Sequence, residues 1–261
     1  MTRRFEGKRA IVTGASRGLG LAIAKRLAVE GAELLICARG EEQLRDAATT
    51  IEASGAKVRT CAADLADWAQ AETLVELARQ EWDTIDVLIN NAGILHEAPY
   101  LQITAESWRR VMAVLLDAPF RLSQLVAPTM IDAGSGAIVN ITSIDGHAAD
   151  GPFASYAVAK AGLIMLTKNI AVELGPSGVR CNALSPGWTR TEMIDSSTSQ
   201  TAMATMQHSF ARVPLRRLLR PDEIAATCAF LASDEASAIT GAEIIADGGM
   251  TADMYVIPTL E

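Results

Sequence analysis

The stretch Arg9-Ala10-Ile11-Val12-Thr13-Gly14-Ala15-Ser16-Arg17-Gly18-Leu19-Gly20 decides the fold. Arg9–Thr13 reads as an apolar strand, and Gly18–Glu30 as the helix after it. Glycines between them permit positive φ and let the backbone approach a ligand closely. A helix that starts there offers free N–H groups and a positive dipole end to a pyrophosphate. The spacing Gly-x-x-x-Gly-x-Gly is a variant of the dinucleotide-binding fingerprint. A glycine turn used only for tight packing is the alternative.

Working outward, strands and helices alternate to the end of the chain. Strands are expected at Glu33–Ala38, Val58–Ala63, Val87–Asn91, Ala137–Ser143, Arg180–Ser185 and Glu243–Asp247. Helices are expected at Glu41–Ser54, Asp67–Trp82, Ala105–Asp132, Ser155–Leu174 and Pro221–Ala232. Continuously apolar strands alternating with helices predict an α/β fold. The expected architecture is a single Rossmann-type, doubly wound parallel sheet of about seven strands with helices on both faces. No linker or repeat divides residues 1–261, so one dinucleotide-binding domain is expected, with its core at about 5–250.

The 261 residues are 49% hydrophobic and 21% charged, which suits a large core and excludes a disordered chain. The net charge of −8 argues against non-specific nucleic-acid binding and against anionic membranes. A small-molecule carbonyl or alcohol is the expected partner, with no nucleic acid and no membrane. The first residues lack a signal peptide's apolar segment, and no run approaches the ~18–20 apolar residues of a bilayer span. A cytoplasmic protein is expected. Cys37, Cys61, Cys181 and Cys228 form no CxxC pair and read as free buried thiols. His96, His147 and His208 are too scattered for a metal site, and no metal is expected.

The end of the second strand selects the cofactor. NAD sites place an acid there for the ribose 2′-hydroxyl, whereas NADP sites use an arginine. Here Leu34-Leu35-Ile36-Cys37-Ala38 runs into Arg39. An arginine fork complements a 2′-phosphate that a carboxylate would repel. Arg17, in the glycine loop, is placed to close on the same phosphate. NADP is therefore the expected cofactor, with a solvated Arg39 as the alternative.

Five motifs in fixed order then carry a resemblance: Thr13–Gly20, Asp64-Leu65, Asn90-Asn91-Ala92-Gly93, Ser143 with Tyr156-x-x-x-Lys160, and Pro186-Gly187. The chain resembles the short-chain dehydrogenase/reductase family over about residues 5–250, and the ketoacyl-carrier-protein reductase-like members most in pattern. The resemblance implies a ketoreductase-type oxidoreductase with Ser143, Tyr156 and Lys160 as catalytic residues. It implies cofactor contacts from Gly14, Ser16, Arg17, Gly18, Leu19, Gly20, Arg39, Asp64, Leu65, Asn91, Ala92 and Gly93. It also implies contacts from Tyr156, Lys160, Pro186, Gly187, Thr189 and Thr191.

The chemistry is readable from the residues as well. Tyr156 and Lys160, four apart on a helix, project from one face. A neighbouring ammonium favours the phenolate and lowers the tyrosine pKa from ~10, and an oxidised nicotinamide acts the same way. A tyrosine so tuned gives a proton to a carbonyl oxygen or takes one from an alcohol. Ser143 is expected to hydrogen-bond the same oxygen. NAD-dependent polyol or sugar dehydrogenation, or cofactor binding with little turnover, are the other readings.

One departure matters. The family's usual asparagine, which supports a proton relay behind the lysine, falls on Leu115 in Trp108–Leu116. Leucine has no hydrogen-bonding group, so the relay is expected to be weakened.

Asp145, His147, Phe153, Trp188 and Met193 are the expected substrate residues, with a surface histidine as the alternative for His147. Residues 190–215 suggest a substrate lid or an ordinary loop, and 251–261 an extension that closes over a pocket or frays. Val111–Leu116 and Ala157–Leu166 are apolar on nearly all sides. That suggests a homotetramer or homodimer, with deep burial inside one chain as the alternative.

Overall fold

The computed structural model describes residues 3–149, 151–191 and 213–252. The glycine-rich stretch forms a strand, a turn and a helix, β1 (Arg9–Thr13) and α1 (Gly18–Val29). There follow β2 (Glu33–Ala38), α2 (Glu41–Glu52), β3 (Val58–Ala62), α3 (Trp68–Glu81) and β4 (Val87–Asn90). The second half holds α4 (Ala105–Met112), α5 (Ala118–Asp132), β5 (Gly136–Ile141), α6 (Ala154–Leu174), β6 (Val179–Pro186), α7 (Pro221–Ala232) and β7 (Glu243–Ala246).

All seven strands pair in parallel in the order β3-β2-β1-β4-β5-β6-β7. The order reverses between β1 and β4, and ligands of such sheets bind at the strand ends beyond that reversal. Strand side chains alternate between the faces. Ala10 and Val12 enter the core under α1 and α7, whereas Ile11 faces α3 and α5. Leu34 and Ile36 against Leu35 and Cys37 repeat the pattern on β2. Each fully buried Leu or Ile contributes roughly 1.5–3 kcal/mol, so both faces of the sheet need a helical layer. Edge strand β3 exposes Arg59 and Thr60, whereas central β4 and β5 are buried throughout. The four cysteines are free and buried.

The expected single helix Ala105–Asp132 is in fact two α-helices joined by a π-turn over Ala113–Asp117. Pro119 explains it. Proline has no N–H for the Leu115 carbonyl, and its ring crowds the carbonyl four residues back. The Ala118 N–H bonds the Ala113 carbonyl, five residues back. By length and composition this run is apolar enough to cross a bilayer, yet 50% of its most apolar window is buried within the fold.

Val111, Val114 and Leu115 are buried inside the chain, which accounts for the apolar character there. On α6, by contrast, Val158, Met165 and Val172 form an exposed apolar stripe at seven-residue spacing. The other expected elements occur with ends shifted by at most two residues, and Arg9–Thr13, Glu33–Ala38 and Pro221–Ala232 have the expected ends.

Candidate active site

Thr13 ties the carboxyl ends of β1 and β4 together. Its Oγ1 accepts from the Asn91 and Ala92 N–H groups, both at 3.0 Å, and donates to the Ile89 carbonyl at 3.2 Å. Asn91 Nδ2 returns a bond of 2.9 Å to the Thr13 carbonyl. Gly14 and Gly18 have φ of 65° and 55°, where L side chains are strained. A Cβ on Gly20 would lie 2.2 Å from the Gly14 carbonyl oxygen, so the loop closes only over glycine. α1 begins at this loop with no side-chain cap and no acidic residue in its first turn. Its N-terminal N–H groups therefore suit an anion.

The loop opens onto a cleft of about 950 Å³. Every residue expected to contact cofactor lines it, from Gly14 to Thr191, as do Ser143, Asp145, Phe153 and Trp188. At one end Arg39 stands beside Gly40 and Gln43, with no carboxylate at the end of β2. Asp64 takes a 2.7 Å bond from Arg110 and a 3.1 Å bond from the Ala66 N–H. Burial pushes its carboxyl up, but these bonds and the charges of Arg110 and Arg39 hold it below its ordinary range.

Ser143 lies just past β5, and its Oγ accepts the Asp145 N–H at 3.1 Å. Tyr156 and Lys160 project together from α6, with Lys160 Nζ 5.5 Å from the Tyr156 ring centre. The buried Lys160 donates to the Ile141 carbonyl at 2.6 Å. The expected direction of the Tyr156 shift is corrected here. Packing around the ring pushes the phenol up to about 12, Asp145 adds to that, and a Ser143 hydrogen bond offsets part of it. The same burial pushes Lys160 down to about 8, against an upward pull from Asp145. Desolvation opposes the charged form of both groups and is the largest cause of each shift.

A buried amide network that the sequence reading missed holds α6 in register. Asn140, on β5, receives 2.8 Å from Asn90 Nδ2 and donates 2.9 Å to Thr167 Oγ1 on α6. The Asn-Asn pair ending β4 was the available signal, but its partners are distant in sequence.

His147 is not a cleft residue. It pairs with Glu243 Oε1 at 2.6 Å, because the turn Ile144–Gly146 carries it toward β7. Met193 and most of the expected lid lie outside the described residues, as does the tail beyond Ala252. Leu115 is 1% exposed, packed with Val111, Val114 and Ala159.

A family model described as enoyl-(acyl carrier protein) reductase matches residues 14–251. The chain belongs to the short-chain dehydrogenase/reductase family. Among its relatives, the 3-oxoacyl-(acyl-carrier-protein) reductase of Thermotoga maritima is 36% identical over 247 residues, 95% of this chain and 99% of that one. The cis-4-hydroxycyclohexanecarboxylate dehydrogenase of Sinomonas cyclohexanicum is 38% identical over 255 residues, covering 97% and 100%. The gluconate 5-dehydrogenase of Burkholderia cenocepacia, solved with NADP and tartrate, has a TM-score of 0.90 at 32% identity, covering 97% and 98%. As a short-chain dehydrogenase/reductase, the chain is an oxidoreductase of a family that uses NAD or NADP.

Proposed function

We propose that this chain is an NADP-dependent oxidoreductase that interconverts a ketone or aldehyde and an alcohol, with Tyr156 as the proton donor and acceptor. The observation that carries the reading is the meeting of Ser143, Tyr156 and Lys160 in one cleft with the glycine loop. The uncapped start of α1 and the loop closed over Gly20 fit a dinucleotide pyrophosphate. Arg39 and Arg17 would hold the 2′-phosphate, Asp64 and Leu65 would border the adenine, and Asn91, Ala92 and Gly93 would support the cofactor. Pro186, Gly187 and Thr189 would face the nicotinamide, and Thr191 a phosphate.

The nicotinamide, when bound, supplies or accepts the hydride. The protein's part is to hold the reacting oxygen and move its proton. Ser143 hydrogen-bonds that oxygen. Tyr156 gives it a proton in reduction, and its raised pKa keeps the phenol protonated at neutral pH. Lys160, anchored on the Ile141 carbonyl, would position the ribose. The three relatives above are named for keto or hydroxy compounds, which supports the class of reaction. The direct test mixes purified protein with NADPH or NADH and a panel of ketones. Tight NADPH binding with no oxidation by any ketone would favour a cofactor-binding protein without turnover, the reading that Leu115 supports.

Leu115→Asn tests the relay. The variant should raise kcat by no more than about tenfold and change its pH profile, because a relay only replenishes the donor. It should also lose about 1–3 kcal/mol of stability, since an amide replaces packed apolar surface. Unchanged kcat and pH dependence would sink the relay idea.

The exposed α6 stripe supports self-association as a tetramer or dimer. Met165→Glu should then lower the mass measured by light scattering. A wild-type mass equal to one 27.7 kDa chain would end that proposal.

A further inference from the structure

Ser143 belongs to a short segment that is pinned on both sides. Before it, the Thr142 N–H and Oγ1 both donate to the Leu184 carbonyl of β6, at 2.8 and 2.9 Å. Thr142 Oγ1 also shares a 2.6 Å hydrogen bond with Ser185 Oγ. After Ser143, the turn Ile144–Gly146 is closed by two N–H bonds of 3.0 Å, from Gly146 to the Ser143 carbonyl and from His147 to the Ile144 carbonyl. The Asp145 N–H meets Ser143 Oγ itself. His147, at the end of the turn, then reaches Glu243 on β7.

The two anchors meet on one atom. Glu243 Oε1 accepts from His147 Nε2 at 2.6 Å and also from Ser185 Oγ. An ionised carboxylate has no proton to give, so Nε2 carries the hydrogen whether the ring is neutral or charged. Thr142 and Ser185 are buried, and the Glu243 side chain is 13% exposed, so the link is largely shielded from competing water. On the other side, a Cβ on Gly146 would lie 2.6 Å from Ile164 Cδ1, so the turn already rests on α6. Packing stops the turn from sinking, and the Glu243 link stops it from lifting.

We infer that Glu243 and His147 are positioning residues, which fix the place of the Ser143 hydroxyl by tying both ends of its segment to β7. The inference rests on the oxidoreductase reading, in which Ser143 meets the reacting oxygen. It adds to that site two residues that do not line the cleft. Removing a preorganised donor outright costs about 10²–10³ in rate, which is the ceiling for a clamp that only aims one. A misplacement of about 1 Å costs about 100-fold.

The experiment uses the full chain with NADPH and one ketone that the wild type reduces, with sites counted by NADPH titration. Glu243→Ala should lower kcat about 10- to 100-fold and leave KM for NADPH within about threefold. Glu243→Gln keeps an acceptor oxygen for both donors and should restore kcat to within about threefold of wild type. Should Glu243→Ala fail to fold, His147→Ala carries the test, since it removes only the exposed arm, and its kcat should fall at least about threefold. Amide hydrogen exchange reads the clamp without turnover. The Asp145, Gly146 and His147 amides should exchange at least about tenfold faster in the alanine variant, with the Asn91 and Ala92 amides on Thr13 Oγ1 unchanged. A wild type that reduces no ketone defeats the oxidoreductase reading and this inference with it. With an active wild type, an unaffected kcat overturns the positioning role alone. So does a loss confined to KM for NADPH, a glutamine variant no better than alanine, or equal acceleration of both sets of amides.

Discussion

Tyr156→Phe will cut kcat for NADPH-dependent ketone reduction roughly 1,000-fold, while NADPH affinity changes less than about tenfold. A positioned proton donor is worth about 10²–10⁴ in rate, and 1,000-fold corresponds to about 4 kcal/mol of barrier. No neighbour is placed to replace the phenol. Ser143 would hydrogen-bond the reacting oxygen without giving up its proton, and Lys160 is committed to the Ile141 carbonyl. The pH dependence gives a second reading. Tyr156 is raised to about 12 by its own surroundings, so reduction, which needs the protonated phenol, should hold up across neutral pH. Alcohol oxidation needs the deprotonated form and should climb as pH rises. The phenylalanine variant should lose that climb along with the rate. Retention of more than a tenth of wild-type kcat would remove Tyr156 from the mechanism.

Arg39→Asp should lower kcat/KM for NADPH by on the order of 100-fold or more and improve it for NADH. The substitution removes a cation from the end of β2 and installs an anion against the 2′-phosphate. The same aspartate would accept from a ribose 2′-hydroxyl, which is why the two cofactors should respond in opposite directions. Arg17 remains in the loop, so residual NADPH use is expected. Steady-state kinetics with both cofactors on one ketone checks this. Equal losses for NADPH and NADH would show that Arg39 supports the cleft without reading the phosphate.

Much of the fold was legible because strands and helices carry their period in the sequence. β4 and β5 are apolar apart from Asn90 and Asn140, which suits strands covered on both faces. The cleft was legible through short local motifs, in which neighbours in sequence are neighbours in space. The misses share another cause. His147 pairs with Glu243, 96 residues away, and the Asn90–Asn140–Thr167 chain joins three elements. Such pairings exist only once the sheet order is known. The direction of the Tyr156 shift failed because spacing reveals the neighbouring lysine but neither the burial of the phenol nor the charge of Asp145 beside it. The π-turn was within reach, since Pro119 was in plain view inside an apolar run.

That π-turn also works as a phase adjuster. One residue beyond the α-helical count turns the following helix by about 100° about its axis. α4 packs on α6, whereas α5 packs chiefly on α3 and the strands and less on α6, so partners in different directions are served by one unbroken run of backbone. Deleting a single residue between Ala113 and Asp117 would leave both helices intact and send one of them to its neighbours with the wrong face. The damage would fall on α6, and with it on the spacing between Tyr156 and Ser143. A one-residue insertion is therefore part of what aligns the reacting groups, and Tyr156 packs against the cluster to which its Val114 and Leu115 belong.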